Sequence, residues 1–292
     1  MRVVFCSCCK IQQINPQPIW SDIQARKPDV LLLLGDNIYL DHDSHDDPKA
    51  LQTELQTCYA RQLRETNFAA LLVDLKARAA RVLAIYDDHD FLGNNRYGGD
   101  NPPSMREAAR SALSDAFSPP RTGDDIYSAS TFGNVLILML DTRFYRRRPA
   151  DSATSRDAVL GESQWTWLEQ QLAAPTPAFV ILASGSTFHR FDNESWEQYP
   201  TAFERLRSLL GHRKGTMFLS GDIHSNEAYD DSGVLELASS GVARRGIVFG
   251  GKRANYGVLD FDATGVDVEF VSRKKSNRAK FRVSLDDWSL TD

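Results

Sequence analysis

The chain reads as an α/β protein in which two mixed β-sheets lie face to face between outer layers of helices. Three observations predict this. Short apolar runs alternate with amphipathic stretches as far as Ser220. The clearest of those stretches repeat their apolar residues at helical spacing. Beyond Gly221 short β-segments separated by glycine-containing turns replace the alternation. No repeat, linker or low-complexity segment interrupts the 292 residues, so a single domain, 1–292, is expected.

The first strand candidate, Arg2 to Ser7, is built on Val3, Val4 and Phe5. The second, Asp29 to Leu34, contains Val30-Leu31-Leu32-Leu33-Leu34 between Pro28-Asp29 and Gly35. An apolar run of that length is the pattern of a parallel strand buried on both faces. Gly35-Asp36-Asn37-Ile38-Tyr39 follows directly. It brings a carboxylate and a phenol to the carboxyl end of the strand, where open α/β sheets bind ligands. Asp47-Pro48 opens a helix, since Asp caps and Pro suits a first turn, and Leu51, Leu55, Tyr59 and Leu63 line one face of it.

Further strands are expected at Arg81 to Ile85, Val135 to Leu140, Ala178 to Ala183 and Thr216 to Ser220. Two more helices fall between them. One runs from about Gly161 to Ala174 with Trp165, Leu168 and Leu172 as its apolar stripe, the other from about Pro200 to Leu210. The closing β-segments are Val234 to Ala238, Asn255 to Phe261 and Val266 to Ser272, with Asp260 to Gly265 as a hairpin connection. The loops Asp41 to Asp47 and Phe91 to Pro103 are long and polar, as active-site rims often are.

An apolar content of 42% suits a soluble enzyme, and a formal charge of −5 gives no sign of nucleic-acid binding. Arg146-Arg147-Arg148 and Arg273-Lys274-Lys275 read as solvated loops or strand edges, with steering of a phosphate as the alternative. No stretch approaches the roughly 18 apolar residues of a membrane helix, and Lys10 interrupts the N-terminal apolar piece before it reaches the length of a leader. Cys6, Cys8 and Cys9 crowd together and offer no disulfide framework. A cytoplasmic protein is the expectation.

The chemistry-bearing residues collect at strand ends. Ser7-Cys8-Cys9 closes the first strand, Gly35-Asp36 with Tyr39 the second, and Asp87-Asp88-His89-Asp90 followed by Asn94-Asn95 the third. Asp141-Thr142-Arg143 follows the Val135 strand and Gly221-Asp222-Ile223-His224 the Thr216 strand. Successive strand ends carrying such groups point to one rim and one site.

These blocks resemble the PhoD-like alkaline phosphatases, a branch of the calcineurin-like metallophosphoesterases. The matching segments are Ser7-Cys8, GDNIY at Gly35 to Tyr39, DDHDF at Asp87 to Phe91, LDTRFYR at Leu140 to Arg146 and SGDIHS at Ser220 to Ser225, in family order across almost the whole chain. Trp196 to Leu210 is similar to the family's loop and helix before the last motif. The resemblance implies the αββα metallophosphoesterase sandwich. It also implies an Fe(III) held by Cys8, Asp36, Tyr39 and Asp222, with Asp36 bridging to a Ca(II) near Asp88 and Asn94 or Asn95, of which Asn95 is taken as the ligand. Thiolate and phenolate are anionic donors that favour Fe(III), while carboxylate and amide oxygens suit calcium. Zn(II) or Mn(II) is the alternative pair.

Each residue has a plainer reading beside this one. Cys8 could be a buried structural thiol, and Asp36 with Tyr39 a cap and a core aromatic. His89 falls on the histidine that serves the leaving group or the phosphoryl oxygens in related sites, or it is a satisfied loop histidine. Arg143 is expected to clamp a phosphate oxygen or to pair with Asp141. His224 is open between metal ligand, supporting residue and core residue. His189, His42 and His45 read as structural, loop or solvated residues, and His212 as a helix end.

The expected activity is metal-dependent hydrolysis of small phosphate mono- or diesters, by in-line attack of a hydroxide carried on the cations. His89, Arg143 and His224 are the expected catalytic side chains. The rivals are a di-zinc or di-manganese phosphodiesterase of the same fold and a non-catalytic phosphate-binding scaffold. No GxSxG, GxGxxG or Walker loop occurs. Two departures from the family are read: the DxH that opens most calcineurin-like sites is missing, and a catalytic domain without the family's leader or small N-terminal β domain is expected.

Overall fold

The computed structural model describes residues 1–42, 45–174, 177–189, 194–211, 213–231, 233–243, 254–272 and 279–290. His212 and Arg273-Lys274-Lys275 lie outside the described residues. Among the described residues the strands are β1 (Arg2–Cys6), β2 (Val30–Leu34), β3 (Arg81–Ile85), β4 (Ser128–Phe132), β5 (Val135–Met139), β6 (Phe179–Ala183), β7 (Thr216–Ser220), β8 (Asn226–Asp231), β9 (Val234–Ser239), β10 (Asn255–Phe261), β11 (Gly265–Ser272) and β12 (Ala279–Ser284). They form two six-stranded sheets, β12-β11-β10-β1-β2-β3 and β4-β5-β6-β7-β9-β8. Both are mixed. β1, β2 and β3 are parallel, and so are β5, β6, β7 and β9, while β10 to β12, β4 and β8 join antiparallel.

The layering follows from strand alternation. Val135, Ile137 and Met139 of β5 and Ile181 and Ala183 of β6 belong to the core shared with the first sheet. Their neighbours Leu136, Leu138, Val180 and Leu182 pack in a second core. There they meet Trp165 and Leu168 of α6 (Gly161–Ala173) and Ala202 and Leu206 of α7 (Pro200–Leu210). On the first sheet the helices are α1 (Ile19–Ala25), α2 (Pro48–Leu63), α3 (Thr66–Ala77) and α4 (Pro103–Phe117), which contribute Trp20, Leu55, Phe68 and Ala109 to the large core. A short α5 (Pro149–Ser152) sits in the loop after β5. Two sheets between two helix layers is the expected sandwich.

The expected N-terminus of α2 forms as read: Asp47 accepts the Ala50 N–H at 2.7 Å, with Pro48 in the first turn. Asp262 closes the β10–β11 hairpin by accepting the N–H and hydroxyl of Thr264 at 2.7 and 2.9 Å. The strands that the sequence pattern passes over, β4, β8 and β12, all lie at sheet edges. An edge strand has a free side and need not be apolar on both faces, so its pattern is weak. The polar loop expected as far as Pro103 ends where α4 begins. Among the described residues no helix is long and apolar enough to cross a membrane.

The carboxyl ends of the parallel strands converge. A Cβ on Gly35, whose φ is +79°, would stand 2.4 Å from Asp87 Cβ, and one on Gly221 2.6 Å from the Leu34 carbonyl oxygen. Glycine is required where neighbouring strands of the first sheet, and the two sheets at Gly221, bring their loops this close.

Candidate metal centre

Cys8 enters the site from the turn after β1. Its loop is fixed by main-chain bonds: the N–H groups of Gly241 and Val242 reach the Ser7 carbonyl at 3.2 and 3.1 Å, and the Ala243 N–H reaches that of Cys8 at 3.1 Å. The Cys9 N–H donates to the Asp36 carbonyl at 2.8 Å, tying the first two loops together. Cys8 Sγ then lies 3.5 Å from Asp36 Oδ2, and the Tyr39 hydroxyl donates to that same oxygen at 2.7 Å. The other Asp36 oxygen faces the His89 N–H at 3.3 Å.

Two groups of potential donors share Asp36. In each, the donor atoms lie within 4.8 Å of one another: Cys8, Asp36 and His224 form one, and Asp36, Asp88 and His89 the other. His224 thus stands within 4.8 Å of donor atoms of Cys8 and Asp36. Asp222 is close enough for its charge to raise both Cys8 and Asp36, and its main-chain carbonyl stands 3.7 Å from Cys8 Sγ. Asn95 meets Asp88 through its main-chain N–H, 2.7 Å from Asp88 Oδ2, while the residue itself is exposed beside Asn94.

The electrostatics are those of a site that lacks positive charge. Burial, then the charges of Asp88, Asp87, Asp90 and Asp222, push the Asp36 carboxyl well above the usual carboxylate range. Burial followed by Asp36 does the same to the Cys8 thiol and the Tyr39 phenol. Asp88 goes the other way: burial opposes its ionisation, but Arg143, His89 and the Asn95 N–H together hold it below its ordinary value. A thiol and a phenol converging on one buried carboxylate oxygen fit a cation, which would take the place of the protons that now face Asp36 Oδ2. The donor set, a thiolate, a phenolate, carboxylates and imidazoles, is one that metals accept.

Asp87 and Asp90 form the foundation, and sequence reasoning left them unassigned within the DDHD cluster. Asp90 accepts the N–H groups of Asp36, Asn37 and Asp87 at 3.1, 2.9 and 2.6 Å, the Asn37 amide at 2.7 Å and the Tyr59 hydroxyl at 3.3 Å. It shapes the Gly35–Tyr39 turn. Burial nonetheless raises it to about 7, the hydrogen bonds only partly opposing this. Asp87, raised to about 6 by burial against the pull of Arg143, accepts from Arg143 Nε at 2.6 Å.

Arg143 does not form the side-chain pair with Asp141 that was one of its two expected roles. Its partners are Asp87 and Glu194, the latter 2.6 Å from Nη2, and its side chain has 0% exposure. Asp141 instead accepts the main-chain N–H groups of Arg143 and Phe144 at 3.0 Å each and the Tyr86 hydroxyl at 2.6 Å. A guanidinium closed to solvent between two carboxylates balances charge and positions the Asp87–Asp88 segment. Glu194 had no signal in the sequence, because nothing near it marks a partner so distant along the chain.

Arg146 also departs from its reading as a solvated loop residue. It is buried, donating to Ser186 Oγ at 2.7 Å and to the Tyr199 hydroxyl at 3.1 Å, and bonding the Glu194 carbonyl. Arg147 and Arg148 are exposed as expected. His189 is a buried structural residue held by Glu236 at 2.8 Å. His42, largely exposed, lies 3.0 Å from Glu54, and His45 lies 2.8 Å from it, in the rim loop.

A family model described as PhoD-like phosphatase matches residues 3–272. Human tartrate-resistant acid phosphatase type 5 is 26% identical over 242 residues, covering 79% of this chain and 66% of that enzyme, so the chain spans just under two thirds of its length. A dimetal phosphatase from Danio rerio superposes with a TM-score of 0.62 at 13% identity, over 99% of each chain. A purple acid phosphatase from yellow lupin (Lupinus luteus) seeds gives 0.65 at 13% identity, covering 97% of this chain and 53% of that one. At such identities the structures establish the fold, which is that of the calcineurin-like metallophosphoesterases.

Proposed function

The chain belongs to the PhoD-like phosphatase family, and from that premise we propose that it is a metal-dependent phosphoester hydrolase with a dinuclear centre built on Asp36. The observation that supports this above the others is the sharing of Asp36 between two donor groups, Cys8–Asp36–His224 and Asp36–Asp88–His89. A carboxylate has one oxygen for each of two cations. Cys8, Tyr39, Asp222 and His224 would hold the first ion, and the anionic sulfur and phenol oxygen suit Fe(III). Asp88, with Asn95 or His89, would hold the second, where oxygen donors suit Ca(II). Bound there, the pair would supply Lewis acidity toward a phosphoryl oxygen and lower the pKa of a water.

The rest is done by the chain. His89 stacks on Tyr39 with ring centres 4.0 Å apart. Burial, with Lys10 and Arg143 acting against the opposite pull of Asp88, lowers its pKa. It is therefore neutral at neutral pH. A neutral imidazole can ligate through one nitrogen or donate a hydrogen bond from the other to a phosphoryl oxygen, but it carries no extra proton for the leaving group. Asp90 and Arg143 hold the two acidic loops in register from below. Small phosphate monoesters and diesters are the substrate class.

Metal analysis by mass spectrometry on protein purified without chelators tests this. Two ions per chain are expected, with Asp36→Asn losing both and Asp88→Asn only one. Zinc or manganese in place of iron and calcium would retain the phosphoesterase and remove the metal assignment. A protein that takes up no metal even on reconstitution would overturn the reading in favour of a phosphate-binding scaffold.

A further inference from the structure

Beside the donor groups opens a cleft of about 470 Å³ lined by His89, Asn94, Asn95 and Arg96. Asn94, Asn95 and Arg96 are exposed. The Arg96 main chain is anchored by its N–H to the Gly93 carbonyl at 3.1 Å, but its guanidinium has no hydrogen bond or ion pair among the described residues. Several other arginines, such as Arg2, Arg26, Arg61, Arg78, Arg110, Arg205 and Arg282, are paired with carboxylates, and the chain has acids in excess at a net charge of −5.

A second cation stands close by. Lys10 is exposed and holds Nζ 4.9 Å from the centre of the Tyr39 ring, which in turn stacks on His89 at the cleft wall. Lys10 likewise has no carboxylate partner among the described residues. The cleft mouth is thus a positive patch with amide donors on an acidic protein, and it borders the donors that would meet a phosphoryl group.

We propose that this cleft receives the part of the substrate beyond the reacting phosphoryl group, and that Arg96 and Lys10 select phosphoesters bearing a second anionic group there. A guanidinium takes a carboxylate or phosphate in a two-point fork, and the asparagine amides supply further donors. Cations at the mouth also raise the local concentration of such substrates, an effect that salt weakens. The substrate class named here rests on the phosphoesterase reading.

The matched probes are 2-phosphoglycerate and glycerol 2-phosphate, which differ in a carboxylate. On the metal-loaded full chain, the ratio of their kcat/KM values should favour 2-phosphoglycerate by about ten-fold, as expected for one charge-assisted contact, and should shrink as salt rises. Arg96→Glu with Lys10→Glu should reverse the ratio, and Arg96→Lys should retain part of it. Arg96→Ala serves if the double variant does not fold. A wild-type ratio of one or less, or a ratio that the charge reversal leaves unchanged, overturns the subsite. If neither ester is hydrolysed, calorimetric binding of the same two probes gives the ratio directly. The phosphoesterase reading then fails alone, and the subsite is still judged.

Discussion

Replacing Arg143 with Met removes the one positive charge between two buried carboxylates. Asp87 and Glu194 accept from it at 2.6 Å each, and its side chain is fully buried. Breaking a buried pair by deleting one partner costs about 3–5 kcal/mol, because the charge left behind has no compensation. The cost must depend on pH in a definite direction. Asp87 already titrates near 6 with Arg143 in place, since burial outweighs the pull of the guanidinium. Without that pull it rises further above its unfolded value. A carboxyl raised in the folded state stabilises most fully below its unfolded pKa and loses that contribution as pH rises through the folded one. The deficit of Arg143→Met should therefore be largest near pH 8 and smaller near pH 5, as read by urea unfolding. Adding Asp87→Asn should recover part of it. A deficit under about 1 kcal/mol at pH 8, or one that does not vary with pH, would refute the reasoning.

Gly35→Ala places a methyl 2.4 Å from Asp87 Cβ at a φ of +79°. A loss above about 1 kcal/mol in thermal or urea unfolding is expected, and a neutral result would show that the loops can part. Asp90→Asn substitutes an amide for an oxygen that receives only donors. It should cost about 1.5–3 kcal/mol and lower metal content, and unchanged metal uptake would separate Asp90 from the site. In chelated protein, Asp87 and Asp90, raised to about 6 and about 7, lose their stabilising contribution as pH climbs from about 4 through 7. Melting temperature should fall across that window and fall less with metal restored; equal slopes would argue against a cation beside these acids.

The fold was legible where burial is two-sided. β2, β6 and β7 sit inside sheets and read as unbroken apolar runs, so their bounds came out within a residue, and β3, at an edge, was still marked by its buried Leu83-Ala84-Ile85 end. β4, β8 and β12 did not, because an edge strand such as Asn226–Asp231 is largely polar. The site divides in a similar way. A buried strand gains nothing by ending in an acid or a thiol, so position marked the strand-end clusters, and the family resemblance picked Cys8, Asp36, Asp88 and Asp222 out of them. Asp90 and Glu194 were not. Their meaning lies in partners more than fifty residues away, as in the bond from the Asp36 N–H to Asp90 and that from Arg143 to Glu194. Arg143 was marked for the right neighbourhood and given the wrong partner, since its nearest acid in sequence, Asp141, is occupied by main-chain donors.

Backbone strain gives the site a character that no ligand count captures. Among the described residues nine non-glycines have positive φ, and five of them are Cys8, Asp36, Asn95, Asp222 and His224. A residue with a Cβ costs about 1–2 kcal/mol in this region, so the strain concentrated here reaches several kcal/mol. The main-chain bonds that pin the Cys8, Asp36 and Asn95 loops oppose it. So does the absence of Cβ atoms at Gly35 and Gly221, which lets the loops approach closely enough for those bonds to form. Left-handed turns at strand ends also crowd a thiol, a phenol and a carboxyl whose ionised forms repel one another. Stability alone favours neither the strain nor the crowding. Both become favourable if something binds the converged donors, and a cation does so with a free energy that counts toward the folded state. The same two sheets then serve as a rigid clamp, which is why the donors sit on the ends of buried strands and the cleft with Arg96 sits on a loop beside them.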